Sequence, residues 1–343
     1  MKAVYFTTFG TADVLQIGEL PTPEPGPKEV RVAVKAVALN HLDIWVRRGI
    51  GNPHLRFPHI LGSDVAGVVD AVGPGTTVAQ PGDRVVVNPG VSCGHCEYCL
   101  SGKDNLCPEY AILGEHRWGG YAEYVVVPEQ NILPMPDNLD FVQAAAVPLT
   151  FLTAWQMVRD KLKVRPGETL LVMAAGSGVS TAAIQIARLC DVRIIATASS
   201  DEKLEKARAL GADEVVNYRE PGWHRKVREL TGGRGVDAVV DHTGSDYWEG
   251  VIKATANGGR ICIVGASSGY EATTPLAHVF YRQLTIYGST MGSKSRMYPI
   301  LRLVSRGKLK PIVDQILPLE DAAKAHQLLE ERKVFGKIVL RVS

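Results

Sequence analysis

Four cysteines constrain this chain more than any other feature in it. Cys93, Cys96, Cys99 and Cys107 form a C-x2-C-x2-C-x7-C array in a short, glycine-punctuated stretch that reads as otherwise unstructured. Four thiolates close a tetrahedral shell around Zn²⁺, and spacers this short let one segment wrap the ion without a scaffold. A closed shell leaves no position open for substrate, so the spacing predicts a structural zinc, one per chain. The rival reading is a pair of disulfides. Against it stands the N-terminus, Met1-Lys-Ala-Val-Tyr-Phe6, which runs directly into a strand pattern without a signal-peptide core and predicts a reducing, cytoplasmic setting. Cys190 and Cys262 lie among apolar residues and read as ordinary buried thiols.

Charge narrows the partners. A formal net charge of +2 over 343 residues gives no broad field for nucleic acid or an anionic membrane, and no basic stripe is interleaved with aromatics. No apolar stretch reaches the length of a membrane span. The expected partner is a small-molecule substrate, with no nucleic acid and no membrane. Two local basic clusters stand out. His224–Arg228 reads as the solvated face of a helix, and Lys294–Arg296 lies in a loop, Thr290–Arg296, that suits a lid, a phosphate contact or a solvated turn.

The texture changes near residue 150. Before it, short β-rich runs at Val30–Val37, Asp64–Val72, Asp83–Val87 and Tyr121–Val127 are broken by Gly and Pro, as in a small, partly open barrel. Pro21–Pro27 lacks donors and is a connecting loop. After it, strands alternate with helices, which predicts βαβ units and a parallel sheet. Candidate strands are Thr169–Met173, Val192–Thr197, Glu214–Asn217, Ala238–Asp241, Arg260–Val264 and Thr285–Tyr287, with helices at Val179–Leu189 and Asp201–Leu210, the latter stopped by Gly211. A last strand near Phe335–Leu340 is expected to return to the first domain.

The first strand–helix junction, Leu170 to Ser180, carries Gly176 and Gly178, expected to let the backbone turn tightly and approach a pyrophosphate met by helix N-terminal amides. Ser180 stands where a third glycine is usual. The second strand ends without the acidic residue that grips a ribose 2′-hydroxyl; Ser199, Ser200 and Lys203 follow, which favours NADP(H) over NAD(H). Alternatively Ser199 caps the next helix and Glu202 completes a capping box.

Together these features resemble the medium-chain dehydrogenase/reductase superfamily almost end to end. The cysteine lobe is similar to that of its zinc-containing alcohol dehydrogenases. The segments Gly119–Tyr124, Pro148–Trp155 and Ala198–Lys206 look more like its quinone-oxidoreductase-like branch. The resemblance implies an α/β chain with a GroES-like β-rich catalytic domain (1–148 and 297–343, zinc lobe near 91–110) and a Rossmann doubly wound parallel-sheet domain (149–296), with the nicotinamide in the cleft between them. It also implies cofactor contacts from Gly176, Ser177, Gly178, Val179, Thr243, Gly265 and Lys337, and a homodimer or homotetramer pairing strands near Leu284–Ser289.

Departures from that pattern set the expected chemistry. The positions that hold a catalytic zinc in the alcohol dehydrogenases are Asn40, Ser63 and Leu149 here, and the proton-relay positions are Leu42 and Trp45. An amide and a serine are poor zinc ligands and leucine is none. His41, His54, His59 and Asp64 lie nearby without the spacing of a metal site. The expectation is hydride transfer with a quinone, an enone or a carbonyl without catalytic zinc, with Asn40, Ser63 and Thr150 near the substrate and Asp43 orienting its neighbours. For Asn40 and Asp43 the competing role is a helix N-terminus. A zinc-containing NAD-dependent alcohol dehydrogenase and a non-catalytic dinucleotide sensor are the alternatives.

Overall fold

The computed structural model describes residues 1–52 and 54–342. Pro53 and Ser343, both within the first expected domain, lie outside the described residues. Two compact units form, Met1–Leu152 with Ser293–Ser343, and Thr153–Gly292.

The first unit is built on a seven-stranded sheet. Its main path runs Ile132–Pro134, Arg84–Val87, Asp64–Val72, Glu29–Ala38, Lys337–Arg341, Val313–Pro318, and Tyr124–Pro128 also pairs with Glu29–Ala38. Glu29–Ala38 explains why this is a sheet and not a helix bundle. Val30, Val32 and Val34 alternate with Arg31, Ala33 and Lys35, and the valines are buried. That period of two puts one face into a core with Val65, Val85, Val125 and Leu340. The C-terminal strand Lys337–Arg341 pairs antiparallel with Glu29–Ala38 and parallel with Val313–Pro318, so the first unit is discontinuous in sequence. A three-stranded sheet joins Gln16–Glu19, Lys2–Phe6 and His59–Ile60.

The second unit carries six parallel strands in the order Glu214–Asn217, Arg193–Ala198, Thr169–Val172, Val236–Asp241, Thr255–Ile263, Thr285–Gly288. This is the doubly wound arrangement, and its strand order reverses between Thr169–Val172 and Val236–Asp241. Ligands of such sheets bind at the carboxyl ends of strands flanking that reversal. Thr169–Val172 is buried throughout, as a central parallel strand must be. Helix Asp201–Leu210 ends at Gly211, whose φ of 117° lies in the left-handed region that a helix terminus needs.

Candidate functional site

The reversal point is built from two loops. After Thr169–Val172 the chain turns through Ala174 (φ 48°) and enters helix Gly178–Arg188, with Ser177 as N-cap. Neither Gly176 nor Gly178 is among the glycines at positive φ, and the left-handed residue of the turn is Ala174. Gly178 is already the first helical residue. Thr197 of the neighbouring strand holds the turn from below: its hydroxyl accepts from the Ala174 N–H (3.2 Å) and its carbonyl from the Ala175 N–H (2.7 Å).

Ser180 turns its hydroxyl into the protein, donating to the Met173 carbonyl at 2.7 Å. His242, after strand Val236–Asp241, places Nε2 at 2.8 Å from Ser177 Oγ and 2.9 Å from Ser180 Oγ. Burial lowers the pKa of His242, opposed by the adjacent Asp241. Sequence reasoning missed this histidine. Its only signal was its place immediately before Thr243. Thr243 is itself buried, and its N–H and hydroxyl both donate to Asp241 Oδ1 (2.8 and 2.6 Å). Gly265 has a φ of 91° in the loop after strand Thr255–Ile263.

At the end of Arg193–Ala198, the helix cap is Ser200 and not Ser199. The Ser200 side chain accepts from the Lys203 N–H at 3.5 Å. Because the helix begins at Asp201, its third residue is Lys203. Glu202 therefore completes no capping box and pairs with Lys206 at 2.7 Å.

In the first unit, four of the singled-out side chains meet in one buried knot. Lys337 Nζ lies 2.9 Å from Asp64 Oδ2 and donates to Asn40 Oδ1 at 2.6 Å. Asn40 Nδ2 donates to Asp64 Oδ2 (3.0 Å) and to the Ala38 carbonyl (3.4 Å), while the Leu149 N–H donates to Asp64 Oδ1 (2.7 Å). Asp43 closes the start of helix His41–Arg47. Its Oδ2 accepts from the Asn40 N–H (2.7 Å), the reach-back half of a capping box, and its Oδ1 from the Gly62 N–H (3.0 Å). Asn40 is the N-cap of that helix and Asp43 its third residue, the helix N-terminus role weighed for both. Burial pushes the Asp43 carboxyl up to about 6, against the N–H groups of Asn40 and Gly62 and the charge of Lys337.

The other expected residues differ. Ser63 is fully buried, and its hydroxyl has no hydrogen-bond partner among the described residues. Thr150 donates to the carbonyl of Ala146, the C-cap of the preceding helix Phe141–Ala145, at 3.3 Å. His59 is buried, with Nε2 3.0 Å from the Gly114 carbonyl oxygen.

The cysteine quartet gathers in the first unit, with its four sulfurs within 4.8 Å of one another. All six cysteines are free thiols, and Cys96 and Cys99 Sγ lie 3.5 Å apart. A Zn–S bond of about 2.3 Å puts tetrahedral sulfurs about 3.8 Å apart, so the quartet fits the closed shell. The lobe is more ordered than expected: it contains a helical turn at Glu97–Leu100, a 3-10 turn at Asp104–Leu106 and a ladder of Gly90–Val91 on Ala111–Ile112. Its N–H groups point at sulfur, from Cys93 to Cys107 Sγ (3.5 Å) and from Cys96 to Cys93 Sγ (3.4 Å).

Lys294 supplies a second test of fit. Its ammonium is buried without a hydrogen-bond partner among the described residues. Burial lowers its pKa, opposed by the charges of Asp104, Cys99, Cys107 and Cys93. Asp104 anchors the segment through the Ser293 hydroxyl (2.7 Å) and the Lys294 N–H (3.0 Å). Within the Thr290–Arg296 loop, Lys294 thus belongs to the electrostatics of the thiol lobe, where an anionic metal–tetrathiolate gives a buried cation its counter-charge.

Residues 26–137 match the family model described as an alcohol dehydrogenase GroES-like domain, and residues 178–306 that of a zinc-binding dehydrogenase. A solved structure described as an NAD-dependent alcohol dehydrogenase is 68% identical, with a TM-score of 0.98 over 100% of both chains. An NAD-dependent alcohol dehydrogenase of Saccharolobus solfataricus is 34% identical over 99% of each chain. A quinone oxidoreductase of Pseudomonas aeruginosa is 33% identical, also over 99% of each.

Proposed function

The chain belongs to the zinc-containing alcohol dehydrogenase family of the medium-chain dehydrogenases/reductases, in its quinone-oxidoreductase-like branch, and is an NAD(P)-dependent oxidoreductase; on that premise we propose that it exchanges hydride with a quinone, enone or carbonyl without a catalytic zinc. The observation that carries this reading is the knot around Asn40. Where a catalytic metal would need anionic or imidazole ligands, the chain has an amide, a serine and a leucine. Of the two carboxylates there, Asp64 is already paired with a buried ammonium and Asp43 accepts from two backbone N–H groups. A divalent cation at that place would meet the charge of Lys337 at close range.

The residues divide the work. When bound, the nicotinamide supplies or accepts the hydride. Gly176, Ser177, Gly178 and Val179 hold its pyrophosphate at the helix N-terminus, with Thr243 and Gly265 on the adjoining loops. Lys337, on the expectation carried by the family, adds a positive charge toward the pyrophosphate while its ammonium stays held by Asp64 and Asn40. Ser63 has the free hydroxyl of the group and donates to the substrate oxygen as negative charge develops there. Asn40, whose amide hydrogens go to Ala38 and Asp64, orients Lys337, and Asp43 fixes the helix that carries Asn40's neighbours. Thr150 lines the substrate side from helix Pro148–Trp155.

The missing acidic residue after Ala198, together with Ser199, Ser200 and Lys203, supports NADP(H) over NAD(H). The partner is a second copy of the chain. Strand Thr285–Gly288 is an edge strand with Ile286 exposed, and Leu276, Phe280 and Tyr281 of the preceding helix are exposed as well. The second reading is a zinc-dependent NAD-linked alcohol dehydrogenase, favoured by the names of the relatives. NADPH and NADH consumption against quinones, enones and aldehydes, alcohol oxidation in reverse, and zinc counted per chain decide between them. Enone or quinone turnover with one zinc supports the metal-free step. Alcohol oxidation with two zinc ions per chain overturns it.

A further inference from the structure

We infer that His242 acts as a positioning residue for the dinucleotide: it holds the Ser177 hydroxyl so that its proton points out of the glycine-rich turn as a donor to a bound pyrophosphate. The inference rests on the dinucleotide reading above and deepens it.

Hydrogen accounting carries the argument. The Ser180 hydroxyl has one proton, which goes to the Met173 carbonyl at 2.7 Å. A carbonyl only accepts, so toward His242 the Ser180 oxygen is itself an acceptor, and Nε2 at 2.9 Å must carry a hydrogen. The same N–H faces Ser177 Oγ at 2.8 Å, so Ser177 also accepts from it. Ser177 Oγ accepts in addition from the Ser180 N–H at 3.0 Å. With both lone pairs engaged, the Ser177 proton has no acceptor among the described residues. It sits at the N-cap of an eleven-residue helix, beside the strand-order reversal where a phosphate is held.

This arrangement is specific to the residues of this turn. A glycine at 180 would give His242 nothing to donate to below, and the ring would be free to take the Ser177 proton. The serine in place of the usual third glycine and the histidine before Thr243 therefore work as one unit. Burial lowers the His242 pKa and so favours the neutral ring, while the hydrogen bonds of Ser180 place the hydrogen on Nε2.

The test uses the full zinc-loaded chain, with NADPH and NADH titrated by nucleotide fluorescence. A hydrogen bond to a charged phosphate lost from a formed site weakens binding about 10- to 100-fold. Ser177→Ala and His242→Leu should each fall in that range, and the double variant should be no worse than Ser177→Ala, because the two act through one proton. His242→Gln keeps an N–H at the same reach and should recover binding to within about threefold of wild type. Nitrogen-15 spectra of the wild-type protein should show His242 protonated on Nε2, which checks the geometry even if His242→Leu does not fold. Wild-type affinity in both single variants, or a ring bearing hydrogen on Nδ1 alone, overturns the inference while leaving the dinucleotide reading intact. A wild-type chain that binds neither nucleotide overturns both.

Discussion

Two polar clusters in the first unit make opposite use of burial. Around Asn40 every charge is answered from within the chain: Lys337 by Asp64 and Asn40, Asp64 by three donors, Asp43 by two backbone N–H groups. Around Cys93 the sulfurs face mainly one another, and the Lys294 ammonium has no hydrogen-bond partner among the described residues. Buried polar groups are normally satisfied, and leaving one unpaired costs about 1–3 kcal/mol, more for a charge. In the first cluster every charge is met as folded, and the Ser63 hydroxyl alone is left over among the described residues. The second makes sense only with a metal at its centre.

The comparison predicts its largest effect at the thiols. Cys96→Ser should lower bound zinc from one per chain toward none and unfold the 91–110 lobe, read by metal analysis and by proteolysis confined to that stretch. Retention of one tightly held zinc would contradict the four-thiolate shell. The knot should respond less completely. Asp64→Leu strands a buried ammonium, a change that costs about 3–5 kcal/mol, seen in the urea midpoint. Adding Lys337→Met should recover much of that loss, since a buried pair replaced by apolar groups is often neutral. If the double variant is no better than the single one, the ion pair is not what holds the knot.

Ser63→Ala probes the one unanswered hydroxyl of that region. Removing an unpartnered buried O–H should leave stability nearly unchanged, while loss of a donor to a developing oxyanion lowers kcat by about 10- to 100-fold. An unaltered kcat would free Ser63 from any catalytic part. The smallest effect is a pH slope. Asp43 is raised to about 6 from an ordinary 3.8. Its protonated form is thus favoured by folding, and the stability this contributes is fully present below the unfolded value and lost as pH rises through about 6. The slope is at most about 1.4 kcal/mol per pH unit, and Asp43→Asn should flatten it between those two values. A slope unchanged in that variant would place the titration elsewhere.

What could be read without coordinates followed from periodicity and spacing. The alternating valines of Glu29–Ala38, the strand–helix alternation after residue 150, the Gly211 helix stop and the cysteine array are all local signals, and the structure bears them out. What escaped was set by contacts between residues far apart in the chain. Asp64 was weighed only as a metal ligand, because nothing local announces that Lys337 arrives beside it. The Ser180–His242 contact joins the first turn of one helix to the loop after a strand 62 residues further along the chain. The cap at Ser200 shows the limit of motif matching, since a Ser-x-x-Glu pattern one residue out of phase with the helix start does not bond as a box. Backbone angles were the least legible, and the left-handed residue of the glycine-rich turn is an alanine.

The position of Lys337–Arg341 has a consequence for how the molecule is made. This strand lies between Glu29–Ala38 and Val313–Pro318, so the first unit's sheet has its full set of neighbours only once everything from residue 29 to residue 341 has been synthesised. The second unit, continuous in sequence, is available to fold while that sheet still lacks two strands. Until then Asp64 waits in a nascent layer without its cation, so the buried ion pair of the first unit closes only after the intervening second unit has been made.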